Sequence, residues 1–70
     1  MDKDKENILK LKQGEMYLIP ESDYGKAEVY LINDRYFLFG IPMYGGEPWY
    51  HDNYKKEQID ELLKVVYSWT

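Results

Sequence analysis

The single histidine, His51, is followed by Asp52, and this is the one place where a general base could have a carboxylate beside it. On a β-strand, adjacent side chains point to opposite sides of the sheet, so Asp52 would not orient the imidazole as a catalytic triad requires. Serine occurs only at Ser22 and Ser68, neither in a nucleophile-elbow context, and cysteine is absent. The sequence therefore predicts no catalytic residues and a protein that is not an enzyme.

Two groups of carboxylates could in principle serve acid–base or metal chemistry. Asp60 and Glu61 lie on the outer side of a predicted helix, where a solvated face is the ordinary reading. Glu47, His51 and Asp52 could bind a hard or borderline cation, but their spacing matches no established metal motif. We therefore expect no metal site and no cofactor.

The paired glycines Gly45-Gly46 raise the question of a phosphate-binding loop. Such a loop needs a strand before it, a helix opening directly onto the anion, and usually a nearby cation. Here Glu47-Pro48 follow the glycines, and the nearest lysines, Lys55 and Lys56, come only after an aromatic segment. A structural turn is the preferred interpretation, and a binding loop is the alternative.

The rest of the chain must pack around a predicted hairpin over residues 27–41. In it, two β-rich runs flank the polar pair Asn33-Asp34. A two-residue turn would place Val29 opposite Leu38 and direct the phenylalanines to the other face. A three-residue loop would instead gather one large apolar face, consisting of Ala27, Val29, Leu31, Phe37, Phe39 and Ile41. We expect the three-residue loop, because the register that collects the bulkiest apolar groups should be favoured.

The segment before this hairpin is ambiguous. If Gln13-Gly14 is a tight turn, a strand over 8–12 pairs with a strand over 15–19, with Lys12 opposite Glu15 and Leu11 opposite Met16. The alternative is a short N-terminal helix that ends at Gly14. We expect the hairpin, preceded by a frayed tail over 1–6 and followed by a loop over 20–26.

The clearest helix runs from about Lys55 to Ser68. Ile59, Leu62, Leu63 and Val66, with Thr70 as a further candidate, recur at helical spacing and form one apolar stripe. That stripe must cover the apolar face of the hairpin. The prediction is one α+β domain over 1–70: an antiparallel four-stranded meander with a C-terminal helix on one face. A fifth short strand at Trp49-Tyr50 is left open.

The unusual feature of the composition is its 17% aromatic content, with eight tyrosines. If Leu31 and Phe37 face the helix, large side chains on the other face form a patch that monomers usually avoid. The predicted binding residues are Tyr30, Ile32, Tyr36 and Leu38 on that face and Tyr44, Gly45, Gly46, Trp49 and Tyr50 in and after the following loop. The alternative is that exposed tyrosines simply reflect high β propensity.

The net charge is −4, from thirteen acidic and nine basic residues, and it opposes attraction to nucleic-acid phosphates and anionic lipid. No apolar run approaches the ~20 residues that cross a bilayer, and a cysteine-free chain suits a reducing compartment. We expect a soluble, cytoplasmic protein that binds neither nucleic acid nor membrane.

Two functions follow from these observations. The first is a non-catalytic protein-interaction or inhibitor domain that uses the tyrosine-rich sheet face, by binding a partner or by self-association. The second is a homo-oligomer that binds a small planar ligand such as a nucleotide between its rings. In type, though without a shared motif, the chain resembles small proteins of phages and mobile elements that act by binding.

Overall fold

The computed structural model describes residues 2–20 and 25–69. In chain order the elements are α1 (Asp2–Leu9), β1 (Met16–Pro20), β2 (Gly25–Ile32), β3 (Arg35–Gly40), β4 (Trp49–Tyr54), a 3₁₀ turn (Lys56–Gln58) and α2 (Ile59–Ser68). The strands form one antiparallel sheet in the order β1-β2-β3-β4. The predicted α+β class, with a four-stranded antiparallel sheet and a C-terminal helix, is confirmed. Ser22 and the middle of the predicted loop, residues 21–24, lie outside the described residues, as does Thr70.

The strand predicted over 8–12 is wrong, and so is the frayed tail predicted over 1–6 as far as its described residues, 2–6, are concerned. Residues 2–9 form α1, a short N-terminal helix like the alternative, but it ends at Leu9 and not at Gly14, and Ile8 is fully buried against the core. The helix is followed by a connection with a turn, closed by a hydrogen bond from the Glu15 N–H to the Lys12 carbonyl at 2.9 Å. Within this turn Gly14 has φ +89° and donates its N–H to the Leu31 carbonyl at 2.6 Å. The fourth strand of the sheet is β4. It includes Trp49 and Tyr50, the segment considered above for a short fifth strand.

The register predicted for the central hairpin is also wrong. Asn33 and Asp34 form a two-residue turn with φ +50° and +63°, the combination of a type I′ turn. Val29 therefore pairs with Leu38 and Leu31 with Tyr36. The two phenylalanines of β3 face away from the helices, because side chains alternate between the two faces of a strand.

The core lies between one face of the sheet and the two helices. The apolar stripe of α2, predicted from its helical spacing, is confirmed, with Ile59, Leu62, Leu63 and Val66 all buried. The sheet contributes Ile19, Ala27, Val29, Leu31, Tyr36, Leu38 and Tyr54 to the same cluster, and α1 contributes Ile8. Both helices lie on this face of the sheet, which leaves the other face without a covering layer among the described residues.

Polar contacts hold α1 in place. The Asp4 carboxylate accepts a hydrogen bond from the Tyr17 hydroxyl of β1 at 2.6 Å and another from the Tyr67 hydroxyl of α2. Lys5 forms an ion pair with Asp60 at 3.0 Å. The pKa of Tyr17 is raised, first by burial and then by its hydrogen bond to Asp4. The first helix is thus tied both to the sheet and to the second helix.

Neither helix in the described part of the chain is long and apolar enough to cross a membrane.

Candidate functional site

The uncovered side of the sheet is the main candidate surface, and we call it the open face. It is built by the alternate residues of each strand that point away from the helices, and cross-strand pairing brings these residues together. Ten of its members are Met16 and Leu18 of β1, Glu28, Tyr30 and Ile32 of β2, Arg35, Phe37 and Phe39 of β3, and Tyr50 and Asn53 of β4, and Lys26 of β2 alternates to the same side. Seven of these ten side chains are aromatic or aliphatic.

Four rings occupy the middle of the open face in mutual contact. Tyr30 and Phe39 meet edge to face with their ring centroids 5.6 Å apart. Tyr50 contacts both phenylalanines, with centroid distances of 5.5 Å to Phe39 and 6.2 Å to Phe37. Ring pairs at these distances attract one another, so the four side chains support each other in fixed orientations. The result is a contiguous aromatic cluster on the surface.

Aliphatic side chains border the rings. Met16 is 41% exposed, Leu18 44% and Ile32 45%, while Tyr50 is 51% exposed. These values far exceed those of the buried core residues on the helix side, which are at most 8% exposed. A continuous patch of large apolar groups across four strands is uncommon on a protein that binds nothing there.

The polar groups of the open face are fixed by hydrogen bonds to one another. Arg35 donates from Nε at 2.8 Å and from Nη2 at 2.5 Å to the Asn53 Oδ1 atom. Asn53 in turn donates to the Tyr50 hydroxyl at 2.8 Å. At the other end of the face, the Tyr30 hydroxyl donates to Glu28 at 3.2 Å. Burial, and then the Glu28 charge, raises the pKa of Tyr30.

A shallow groove of about 440 Å³ crosses part of the open face. It is lined by Glu28, Tyr30, Ile32, Phe39, Glu47 and Pro48. Apolar and aromatic groups therefore make up most of the lining, and a carboxylate is present both on β2 and in the loop before β4. Among the described residues, neither carboxylate has an ion-pair partner.

Three of the predicted binding residues, Tyr30, Ile32 and Tyr50, lie on the open face. Two do not, and for these the predicted outward position is wrong: Tyr36 is 4% exposed and Leu38 is fully buried. The two-residue turn places both on the helix side of the sheet, where Leu38 packs in the core. Burial, followed by the Asp34 charge, raises the pKa of Tyr36.

The remaining predicted residues do not join the open face. Tyr44 is 95% exposed, and Gly45 and Gly46 have φ of +95° and +106°, so the loop turns as its glycines allow. Trp49 belongs to the helix side of the sheet, where it pairs with Gly40 and contacts Trp69 at a centroid distance of 5.0 Å. The rings that were expected to surround a planar ligand are therefore separated within one chain.

The groups considered for catalysis are not assembled into a site. His51 lies at the position where the β3–β4 register shifts, and its ring packs edge to face against Trp49 and Trp69. Asp52 is exposed and accepts a hydrogen bond from the backbone N–H of the next residue at 2.8 Å. Over the described ranges 2–20 and 25–69, no three His, Cys, Asp or Glu side chains are grouped to hold a metal ion.

The sequence interpretation missed four of the seven aromatic and aliphatic members of the open face, namely Met16, Leu18, Phe37 and Phe39. The signal that could have found the phenylalanines is the Asn33-Asp34 pair, because Asn and Asp tolerate the left-handed conformation that a two-residue hairpin turn requires at both positions. The predicted register instead follows from the bulk of the apolar side chains, and it ignores the preference of this pair for a two-residue turn.

Comparison of the chain with protein-family models, with curated proteins and with solved structures gives no match.

Proposed function

We propose that this chain is a non-catalytic binding module that docks on another protein through its open face, as an adaptor or an inhibitor does. The observation that supports this best is the cluster of four touching rings, Tyr30, Phe37, Phe39 and Tyr50, on a face with no covering layer among the described residues. Aromatic side chains contribute much binding energy for little loss of conformational entropy, and here their orientations are fixed in advance.

The dimensions of the open face suit a protein partner. It spans four strands, which at ~4.8 Å between neighbours is roughly 15 Å across. Its centre is apolar and aromatic, while Arg35, Asn53 and Glu28 are polar. An apolar centre with polar groups around it is the usual composition of a protein–protein interface.

A net charge of −4 disfavours nucleic acid and anionic membranes as partners. The absence of cysteine suits a cytoplasmic location.

The alternative is a small planar ligand, such as a nucleotide, bound between rings of two copies of the chain. The exposed ring of Tyr44 supports it, since a free ring face is what base stacking uses. In this alternative the backbone amides of Gly45 and Gly46 would lie near the phosphates. The acidic net charge argues against it, so we prefer the protein partner.

The test compares the wild-type chain with a variant in which Tyr30→Ser and Phe37→Thr remove two rings from the open face. The wild-type chain, immobilised, should capture a partner from a lysate of the cells that encode it, and the purified partner should then bind with a measurable dissociation constant. We expect the double variant to bind at least tenfold more weakly, with an unchanged circular dichroism spectrum. Tyr44→Ser is the matched control, because it removes an exposed ring away from the open face.

Equal weakening by the control and by the double variant would contradict the assignment to the open face. Two further measurements separate the other possibilities. A molecular mass in solution that doubles with concentration, and that the double variant keeps monomeric, would identify the partner as a second copy. A melting temperature raised several degrees by a nucleotide would favour the planar ligand.

A further inference from the structure

The groove on the open face has a composition that points to one kind of side chain on the partner. Tyr30, Ile32, Phe39 and Pro48 form an apolar and aromatic lining, and Glu28 and Glu47 add two carboxylates. A ligand that is apolar throughout would leave those carboxylates without a cationic partner. A small hydrated cation would gain nothing from the rings. The matching group is a cation carried on a long apolar stem.

We propose that this groove binds an arginine side chain of the partner protein. The aliphatic part of arginine would pack along Ile32 and Pro48, as long charged side chains do when only the head remains polar. The planar guanidinium can stack on an aromatic ring, which lysine does less well. It can also donate paired hydrogen bonds to a carboxylate.

The charges on the protein are available for this interaction. Glu28 accepts one hydrogen bond, from Tyr30 at 3.2 Å, and so retains acceptor capacity. Glu47 is exposed in the loop before β4. The one ion pair between described residues is Lys5–Asp60, on α1 and α2, so neither Glu28 nor Glu47 is ion-paired with a described lysine or arginine.

The surroundings of the groove favour the same occupant. The net charge of −4 raises the local concentration of basic segments and steers their approach. It also disfavours a second copy of this acidic chain as the source of the arginine. The inference rests on the proposed function, since it names the chemistry of the partner at the open face: an arginine flanked by apolar residues that cover the neighbouring rings.

The experiment is a titration of the ¹⁵N-labelled full chain followed by NMR, with two tripeptide amides that differ in one group. The first is acetyl-Leu-Arg-Leu-amide, and the second carries citrulline, the neutral isostere, in place of arginine. We expect saturable shifts at Tyr30, Ile32 and Phe39 with the arginine peptide and at least fivefold weaker binding of the citrulline peptide. Added salt should weaken binding of the arginine peptide more.

Two variants of equal charge make the assignment specific. Glu28→Gln with Glu47→Gln neutralises the groove, and Glu57→Gln with Glu61→Gln removes the same charge from the exposed side of the C-terminal helical segment. The groove variant should lose about tenfold in affinity for the arginine peptide, and the helix variant should change by less than twofold. Equal losses, equal binding of the two peptides, or no saturable shift at ~20 mM peptide would each overturn the arginine site.

Failure of this inference can be distinguished from failure of the proposed function. If the Glu28→Gln, Glu47→Gln chain binds its captured protein partner as tightly as wild type, while Tyr30→Ser with Phe37→Thr abolishes binding, the open face is the interface and the arginine site is refuted. If both variants bind like wild type, the interface itself is elsewhere.

Discussion

At the residue scale, Gly40 shows how one small side chain positions a large one. A Cβ atom built at this position would lie 2.2 Å from the Cζ2 atom of Trp49, so the indole lies directly against the backbone of β3. In that position Trp49 contacts Trp69 at the end of α2 and the ring of His51 on β4. Gly40 thus permits the aromatic contact that joins the end of the helix to the last strand.

We therefore predict that Gly40→Ala displaces the indole and lowers the free energy of unfolding by about 1–3 kcal/mol, the usual cost of overpacking. The emission of tryptophan should shift to longer wavelength as Trp49 becomes more exposed, and urea unfolding would measure the loss of stability. The control is the same substitution in a Trp49→Ala background. There the new methyl group meets no ring, so a comparable loss in that background would show that the Trp49 contact is not the cause.

At the level of the individual elements, the sequence predicted secondary structure correctly where its apolar residues fit a single period. The stripe Ile59, Leu62, Leu63 and Val66 has a single period, and α2 formed as expected. Residues 8–12 fit both a helical turn and an alternating strand, and contacts that are distant in the sequence decided between them. The Asp4 carboxylate bonds to Tyr17 and Tyr67, 13 and 63 residues away, and no local pattern reveals such a contact.

The register of the central hairpin was missed for a different reason. The bulk of Phe37 and Phe39 favours a register that places both in the core, but a shift of one residue exchanges the two faces completely. The turn geometry decided the outcome, because Asn33 and Asp34 both accept positive φ. This is why Tyr30 and Ile32 were placed correctly on the open face while Tyr36 and Leu38 were not.

A substitution in the turn tests that explanation. Asn33→Ala should lower the free energy of unfolding by about 1 kcal/mol, because alanine at φ +50° is strained and asparagine tolerates that region. Asn33→Gly should stay within about 0.5 kcal/mol of wild type, since glycine adopts positive φ freely. Chemical denaturation of the three proteins provides the comparison. A loss with glycine as large as that with alanine would mean that the asparagine side chain, and not the backbone conformation, stabilises the turn.

At the scale of the whole molecule, the two faces of the sheet have different roles. The helix side holds the packed core, including Leu38 at 0% exposure, and it supplies stability. On the open face the rings contact one another, and no second layer of described residues covers them. A small domain with a single core depends strongly on each buried side chain. We therefore expect substitutions of the apolar groups on the open face to affect the fold less than substitutions in the core.

Adjacent residues on β3 test this division directly, since Phe37 and Leu38 point to opposite faces. Leu38→Ala should lower the free energy of unfolding by about 3 kcal/mol, as deletion of buried aliphatic groups does. Phe37→Thr should cost about 1 kcal/mol or less, because the ring is half-buried and threonine favours a strand. Binding of the protein partner should respond in the opposite order: Phe37→Thr should weaken it strongly, and any folded Leu38→Ala protein should bind normally. If Phe37→Thr unfolded the chain and Leu38→Ala did not, the register described here would be inverted, and the rings assigned to recognition would belong to the core.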